Sequence, residues 1–242
     1  MDTLNMRTGG EGEPAVLLLH GLGATGAVWN HFAPPLGRRV LVPDLPGHGP
    51  SSPLPHYSFE TLTAAVARAL PDRRPLVVAG HSLGGVLALE LASGKYDVEV
   101  LGVLALGVKV EWTQDDLGRV ATLAARPARL FETRVDAEQA YLKVSGLLGI
   151  APADPAGLRE TEGGWRLAMD PAAFGVGAPD MPALLAAARC PVVLAAGEND
   201  PMSRPGRLRA LDPDAVTLAG LGHNAHVEDP AAVRALLERF GV

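Results

Sequence analysis

The chain has 242 residues, 48% of them hydrophobic, a length that allows one domain or one domain with an insertion. Its net charge of −6, with no basic stripe, argues against nucleic-acid binding. The single cysteine, Cys190, excludes an intramolecular disulfide framework and a thiolate metal cluster, and fits a reducing compartment.

The N-terminal stretch begins Met1-Asp2-Thr3-Leu4-Asn5 and lacks the basic start and apolar core of a signal peptide. The longest apolar run, 100–108, is too short to span a bilayer. A cytoplasmic protein with no membrane partner is the expectation. Short runs rich in Val and Leu at 15–19, 39–42, 76–79, 98–106, 192–196 and 215–218 read as strands. They are apolar without alternation, as expected of parallel strands covered on both faces. Helical patterns lie between several of them. Residues 58–70 put Phe59, Leu62, Val66 and Leu70 on one side, and 230–240 open with Asp229 as N-cap and Pro230 at the first position. The alternation predicts an α/β fold with a doubly wound, mostly parallel sheet.

Between about 109 and 179 the pattern changes. No convincing strand is legible there, helices are expected near 113–125 and 136–148, and much of the aromatic content gathers there. Residues 1–108 and 180–242 are therefore expected to form the core, and 109–179 a small helical cap over the sheet edge.

The segment Gly80-His81-Ser82-Leu83-Gly84 follows one strand-like run and precedes an apolar helix, Gly85 to Leu91. A strand that turns into a helix through G-x-S-x-G holds its serine in a strained conformation at a helix N-terminus. Residues two before and two after the serine must be small, because neighbouring segments pack closely there. The alternative is an ordinary serine in a glycine-rich turn.

A serine hydroxyl needs a base, usually a histidine held by a carboxylate. Sites in such sheets draw on the carboxyl ends of strands. His223 follows the last strand-like run in a loop of small residues, and His226 lies three positions on. His223 is the expected base. Glu198 and Asp200 both follow the 192–196 run, and Asp200, deeper in its loop beside Pro201, is the expected acid. An N-cap is its alternative task. The backbone N–H of Leu83 is one expected oxyanion donor, and that of Leu22, in His20-Gly21-Leu22-Gly23, is the other. His20 is expected to organise that loop. Trp29, Trp112 and Trp165 are weaker candidates for substrate contact, each with core or cap packing as its alternative.

These features together resemble the α/β-hydrolase superfamily over essentially the whole chain. Four segments carry the resemblance: His20-Gly21-Leu22-Gly23, Asp44-Leu45-Pro46-Gly47-His48-Gly49, Gly80 to Gly85, and Gly222-His223-Asn224-Ala225-His226-Val227-Glu228-Asp229-Pro230. The order Ser82, Asp200, His223 is that of the superfamily's catalytic residues. The resemblance supports His223 over His226, supports Asp200, and places the insertion where the superfamily has its cap. It also implies an antiparallel opening edge, which the roughly 14 residues before Ala15 should leave short or frayed.

The implied activity is hydrolysis of a small or medium carboxylic ester through Ser82, with no metal or cofactor required. Carbon–carbon bond hydrolysis, or a reaction like that of the menaquinone-pathway synthase, is the second reading, with Arg119, Arg126, Arg129, Arg134 and Arg166 available for a substrate carboxylate. A non-catalytic ligand receptor is the third. The oligomeric state is left open.

Overall fold

The protein, described here by a computed structural model, is seen from residue 3 to residue 242. Met1 and Asp2, part of the N-terminal stretch read above, lie outside the described residues.

The elements run in the following order: β1 (Met6–Gly9), β2 (Ala15–Leu19), β3 (Val40–Pro43), α1 (Phe59–Ala69), β4 (Leu76–His81), α2 (Leu83–Leu91) and β5 (Val100–Leu106). Then come α3 (Gln114–Ala124), α4 (Arg134–Val144), β6 (Leu158–Thr161), β7 (Gly164–Leu167) and α5 (Met181–Ala187). The chain closes with β8 (Val192–Gly197), α6 (Pro205–Leu211), β9 (Val216–Leu218), α7 (Ala225–Glu228) and α8 (Pro230–Arg234).

Seven strands form one sheet in the order β1-β3-β2-β4-β5-β8-β9. All neighbours are parallel except β1, which runs antiparallel to β3. The antiparallel edge expected to be short or frayed is short: β1 has four residues, formed as a strand with Met6 opposite Pro43 and Gly9 opposite Val40. The chain leaves β2 for β3 on one side, then crosses to β4 on the other. The carboxyl ends of β2 and β4 therefore flank the topological switch point, where open α/β sheets leave a crevice.

Strand residues are apolar in succession because both faces are covered. Ala15, Leu17 and Leu19 of β2 pack with α1, α2 and α5, while Val16 and Leu18 pack with Trp29, Phe32 and Val233 on the other face. Every residue of α2 is buried. The Ser58–Thr61 capping box starts α1, with Thr61 N donating to Ser58 Oγ at 3.1 Å and Ser58 N to Thr61 Oγ1 at 2.9 Å. Asp229 caps α8 by accepting from Ala231 N and Ala232 N. The expected helix over 230–240 is shorter than predicted: α8 stops at Arg234, and a 3-10 turn spans Leu237–Phe240.

The stretch between β5 and α5 is not purely helical. It holds α3 and α4 but also the antiparallel β6–β7 hairpin, with Leu158 opposite Leu167 and Thr161 opposite Gly164. The hairpin escaped the sequence reading because each strand has four residues and no buried apolar run. Phe131, Ala137, Tyr141, Leu142, Leu147 and Leu158 form a small core of their own there.

The turn from β4 to α2 is packed closely enough to exclude side chains. A Cβ on Gly80 would stand 2.1 Å from Gly84 O, and one on Gly84 would stand 2.3 Å from Leu19 O. Both obstacles are backbone, so the smallness expected from sequence is a steric requirement. Gly84→Ala should cost about 3 kcal/mol or more, because strand and helix must separate. Gly118→Ala, in α3 with open space around it, should stabilise by up to about 1 kcal/mol. Urea unfolding of both variants measures the contrast.

Candidate active site

Ser82 sits at φ 51°, ψ −114°, between β4 and α2, in a region that L residues rarely occupy. Such strain costs roughly 1–3 kcal/mol and persists only where surroundings enforce it. Here Ser82 N donates to Leu106 O of β5 at 2.8 Å, and glycines crowd the turn on both sides.

Asp200 follows β8 and His223 follows β9, and the two meet. Asp200 is 3% exposed, and its Oδ2 accepts from His223 Nδ1 at 2.9 Å. Its Oδ1 accepts from Met202 N at 2.8 Å and Ser203 N at 3.1 Å. With Nδ1 donating to a carboxylate, the neutral imidazole leaves Nε2 as a free acceptor. Glu198, the competing acid, is exposed and accepts from Gly220 N at 2.9 Å, which ties its loop to the one before His223.

Ser82 and His223 line one cavity of about 280 Å³ at the switch point. The structure brings them to the same space without a Ser82–His223 hydrogen bond. Leu22 and Leu83 line that cavity too, with Phe59, Val86, Trp112, Val120, Phe174 and Val176 among its apolar walls. Lys109 and Lys143 add two cations. Lys109 Nζ is held by Asp116 Oδ2 at 2.9 Å and lies 4.6 Å from the Trp112 ring centre.

The three tryptophans separate. Trp112 reaches the cavity wall. Trp29 does not: it is 1% exposed, in the core on the sheet face away from α1 and α2, packed between Phe32 and His226. Trp165 lies on β7, bridged by backbone to Phe131, with the Arg134 guanidinium 5.6 Å from its ring. Both are packing residues outside the cavity. None of the five arginines considered for a substrate carboxylate lines it either.

Several positioning groups were not legible in sequence. Glu228 Oε2 accepts from Gly222 N at 2.6 Å, and Asn224 Nδ2 donates to Gly146 O at 3.0 Å, joining the His223 loop to the end of α4. Gly107, with φ 63°, leaves space where a Cβ would stand 3.3 Å from both Asp200 Oδ2 and His223 O. Only the spacing of Glu228, six residues after Gly222, offered a sequence signal.

His20 organises its loop as expected. Leu45 N donates to Nε2 at 2.8 Å, so Nδ1 carries the proton and donates to Gly21 O at 2.8 Å. Burial, together with neighbouring His48, holds His20 well below the usual imidazole range. His48 and His81 are also pushed down, chiefly by burial. Burial, with His223 beside it, lowers His226 to about 3.

Among the described residues, no group of three His, Cys, Asp or Glu side chains is placed to hold a metal ion. No helix among them is long and apolar enough to cross a membrane.

A strained serine at the switch point, with a histidine–carboxylate pair across one apolar cavity, is an arrangement suited to nucleophilic hydrolysis. The chain belongs to the alpha/beta hydrolase family, whose model matches residues 16–236. A pimeloyl-[acyl-carrier protein] methyl ester esterase from Methylococcus capsulatus is 46% identical over 91 residues, 37% of this chain and 35% of the relative. The magnesium-chelatase 30 kDa subunit of Rhodobacter capsulatus is 36% identical over 126 residues, 49% of this chain and 43% of the relative. The chain thus spans less than half the length of these curated relatives. Among solved structures, E-2-(acetamidomethylene)succinate hydrolase matches with TM-score 0.79 and 26% identity, over 100% of this chain and 96% of that one. The thioesterase domain of the curacin biosynthetic pathway matches with TM-score 0.77 and 24% identity, over 98% and 99%, a likeness of fold.

Four depressed histidines make acid sensitivity a property of the fold. In the unfolded chain a histidine takes its proton near pH 6.5. Between there and about 3 the unfolded state binds the proton that native His226 refuses, so stability falls as pH falls. Thermal unfolding should show a lower Tm at pH 4 than at pH 7, and a smaller drop in His226→Phe. An equal drop in both proteins contradicts this account of His226.

Proposed function

We propose that the chain is a serine hydrolase acting on a small or medium carboxylic ester. The observation that carries this reading is the Asp200–His223 pair facing the strained Ser82 across one apolar cavity. His223 Nε2 removes the Ser82 proton as the serine attacks the acyl carbon. Asp200 fixes the tautomer and stabilises the imidazolium. The N–H groups of Leu22 and Leu83 hold the tetrahedral oxyanion, Leu83 at the N-terminus of α2. The imidazolium protonates the leaving alcohol. Water, activated by His223, then releases the acid.

In this reading, residues 109–179 act as the cap and supply Trp112, Val120, Phe174 and Val176 to the wall. Those side chains favour an apolar acyl group. The esterase relatives act, by their names, on a pimeloyl-[acyl-carrier protein] methyl ester, which makes a short alcohol on a medium acyl group a reasonable substrate for this chain too. A soluble cytoplasmic enzyme without metal or cofactor remains part of the proposal.

A second reading, hydrolysis of an anionic substrate at a carbon–carbon or enamide bond, draws support from Lys143 in the cavity wall. The likeness to E-2-(acetamidomethylene)succinate hydrolase adds to it.

A series of p-nitrophenyl esters from acetate to decanoate tests the first reading. Turnover should peak at a short or medium acyl chain and fall by about 10⁴-fold or more in Ser82→Ala. Asp200→Asn should lose about 10⁴-fold through the wrong tautomer. Full activity in Ser82→Ala, or activity confined to vinylogous diketones, overturns the ester reading.

A further inference from the structure

Behind His223 stands a column of five rings. Phe32 meets Trp29 at 5.0 Å between centres, Trp29 meets His226 at 4.4 Å, His226 meets His81 at 4.4 Å, and His81 meets His223 at 4.6 Å. The column begins in the hydrophobic core and ends at the cavity wall. Its first four rings are buried.

His226 is the odd member. It is 0% exposed, and neither ring nitrogen has a hydrogen-bond partner among the described residues. A buried polar group without a partner destabilises the fold, and a plain aromatic ring of similar size would not. The groups facing it offer no proton traffic. Trp29 packs on one side and His81 on the other, His223 and His20 are its nearest titratable neighbours besides His81, and no carboxylate touches it. It does not line the cavity that holds Ser82. His226 therefore has the surroundings of an aromatic side chain and not those of an acid, a base or a ligand.

What it touches gives it a task. His81, the second residue of the G-x-S-x-G segment, donates from Nε2 to the backbone carbonyl of His223 at 2.9 Å and packs on the His223 ring. His81 is thus tied to His223 both through the backbone and through the ring. Its other contact in the column is His226. Removing the His226 ring would open a gap at the middle of the column, beside the residue that holds His223.

We propose that His226 is a positioning residue, a neutral ring spacer that keeps His81, and through it the His223 imidazole, in register with Ser82. The proposal rests on the reading of His223 as the base. It accounts for two histidines three residues apart: His223, in the loop after β9, faces the carboxylate and the cavity, and His226, in α7, fills the column behind it. Proton transfer depends steeply on placement, and a misplacement of about 1 Å can cost roughly 10²-fold.

The test is turnover of p-nitrophenyl butyrate by wild type, His226→Ala and His226→Phe, with thermal unfolding of each. His226→Ala should lose about 10- to 100-fold in kcat with KM changed less than about threefold. His226→Phe restores the ring without its nitrogens and should return kcat to within about threefold of wild type. Equal losses in the Ala and Phe variants would show that a nitrogen is needed and overturn the proposal, as would wild-type kcat in His226→Ala. If His226→Ala does not fold, His226→Phe decides alone. Near-normal kcat supports the spacer, and a loss above about tenfold in folded protein contradicts it. A Phe variant that does not fold also contradicts it, since a spacer needs only a ring. Fluorophosphonate labelling of wild type separates the two layers. Unlabelled Ser82 removes the hydrolase reading itself, whereas labelled wild type with an unaffected His226→Ala removes the spacer alone.

Discussion

The strained turn at Ser82 is the constraint on which the rest of the site depends. A serine at φ 51° is held there only because β4 and α2 meet with no side chains between them. Gly80 faces the backbone of Gly84, and Gly84 faces the backbone of Leu19. This contact sets how close the loop after β2 comes to the serine, and so where the backbone of Leu22 can stand. It also orients α2 so that its N-terminus points at the cavity. The almost wholly apolar sequence of α2 follows, with Glu90 its one charged residue, since a helix starting in mid-sheet is buried along its length.

The sheet order converts that turn into a site. Because the chain crosses from β3 over β2 to β4, the loops after β2 and β4 diverge and leave space between them. β8 and β9 extend the same edge and deliver Asp200 and His223 from separate loops. Those loops are fastened by Asn199 N and Glu198 Oε2 on the β8 side and by Glu228 on Gly222 N. Asn224 extends the fastening to the end of α4, so the His223 loop and the stretch between β5 and α5 share a hydrogen bond. Hydrogen bonds from backbone to buried carboxylate are among the strong ones in proteins. Asp200 has two of them besides His223, which holds its acceptor geometry fixed.

Much of this was legible in the sequence because buried parallel strands leave short, wholly apolar runs. Strands β2, β4 and β8 appear within two residues of the runs that announced them, and the helical patterns that began at Ser58 and Thr113 became α1 and α3, which those residues cap. Ser82 was marked by its G-x-S-x-G segment, while Asp200 and His223 were marked by following strand-like runs and by the resemblance to the superfamily. Four-residue antiparallel strands were not legible. β1 has exposed glycine and threonine at its end, and β6 and β7 are short, mostly half-buried or exposed, and carry charged residues without an apolar run. Side-chain destinations were least legible of all. Trp29, Trp112 and Trp165 have the same chemistry in sequence, yet only Trp112 reaches the cavity, because which way a ring points depends on what packs against it. His81 carried no role in sequence and His226 stood only as the alternative to His223, because the rings they touch come from three separate segments.

The central claim is that Ser82 is the nucleophile of an acyl-enzyme. Its most direct measurement is rapid acid quench of the protein during turnover of p-nitrophenyl butyrate, followed by peptide mass mapping. The account predicts a butyryl adduct, a gain of about 70 Da, on the peptide containing Ser82, formed transiently and absent in Ser82→Ala. Ester turnover with the adduct on Cys190 or Lys143, or with no adduct on Ser82 in a variant whose deacylation is blocked, would contradict it.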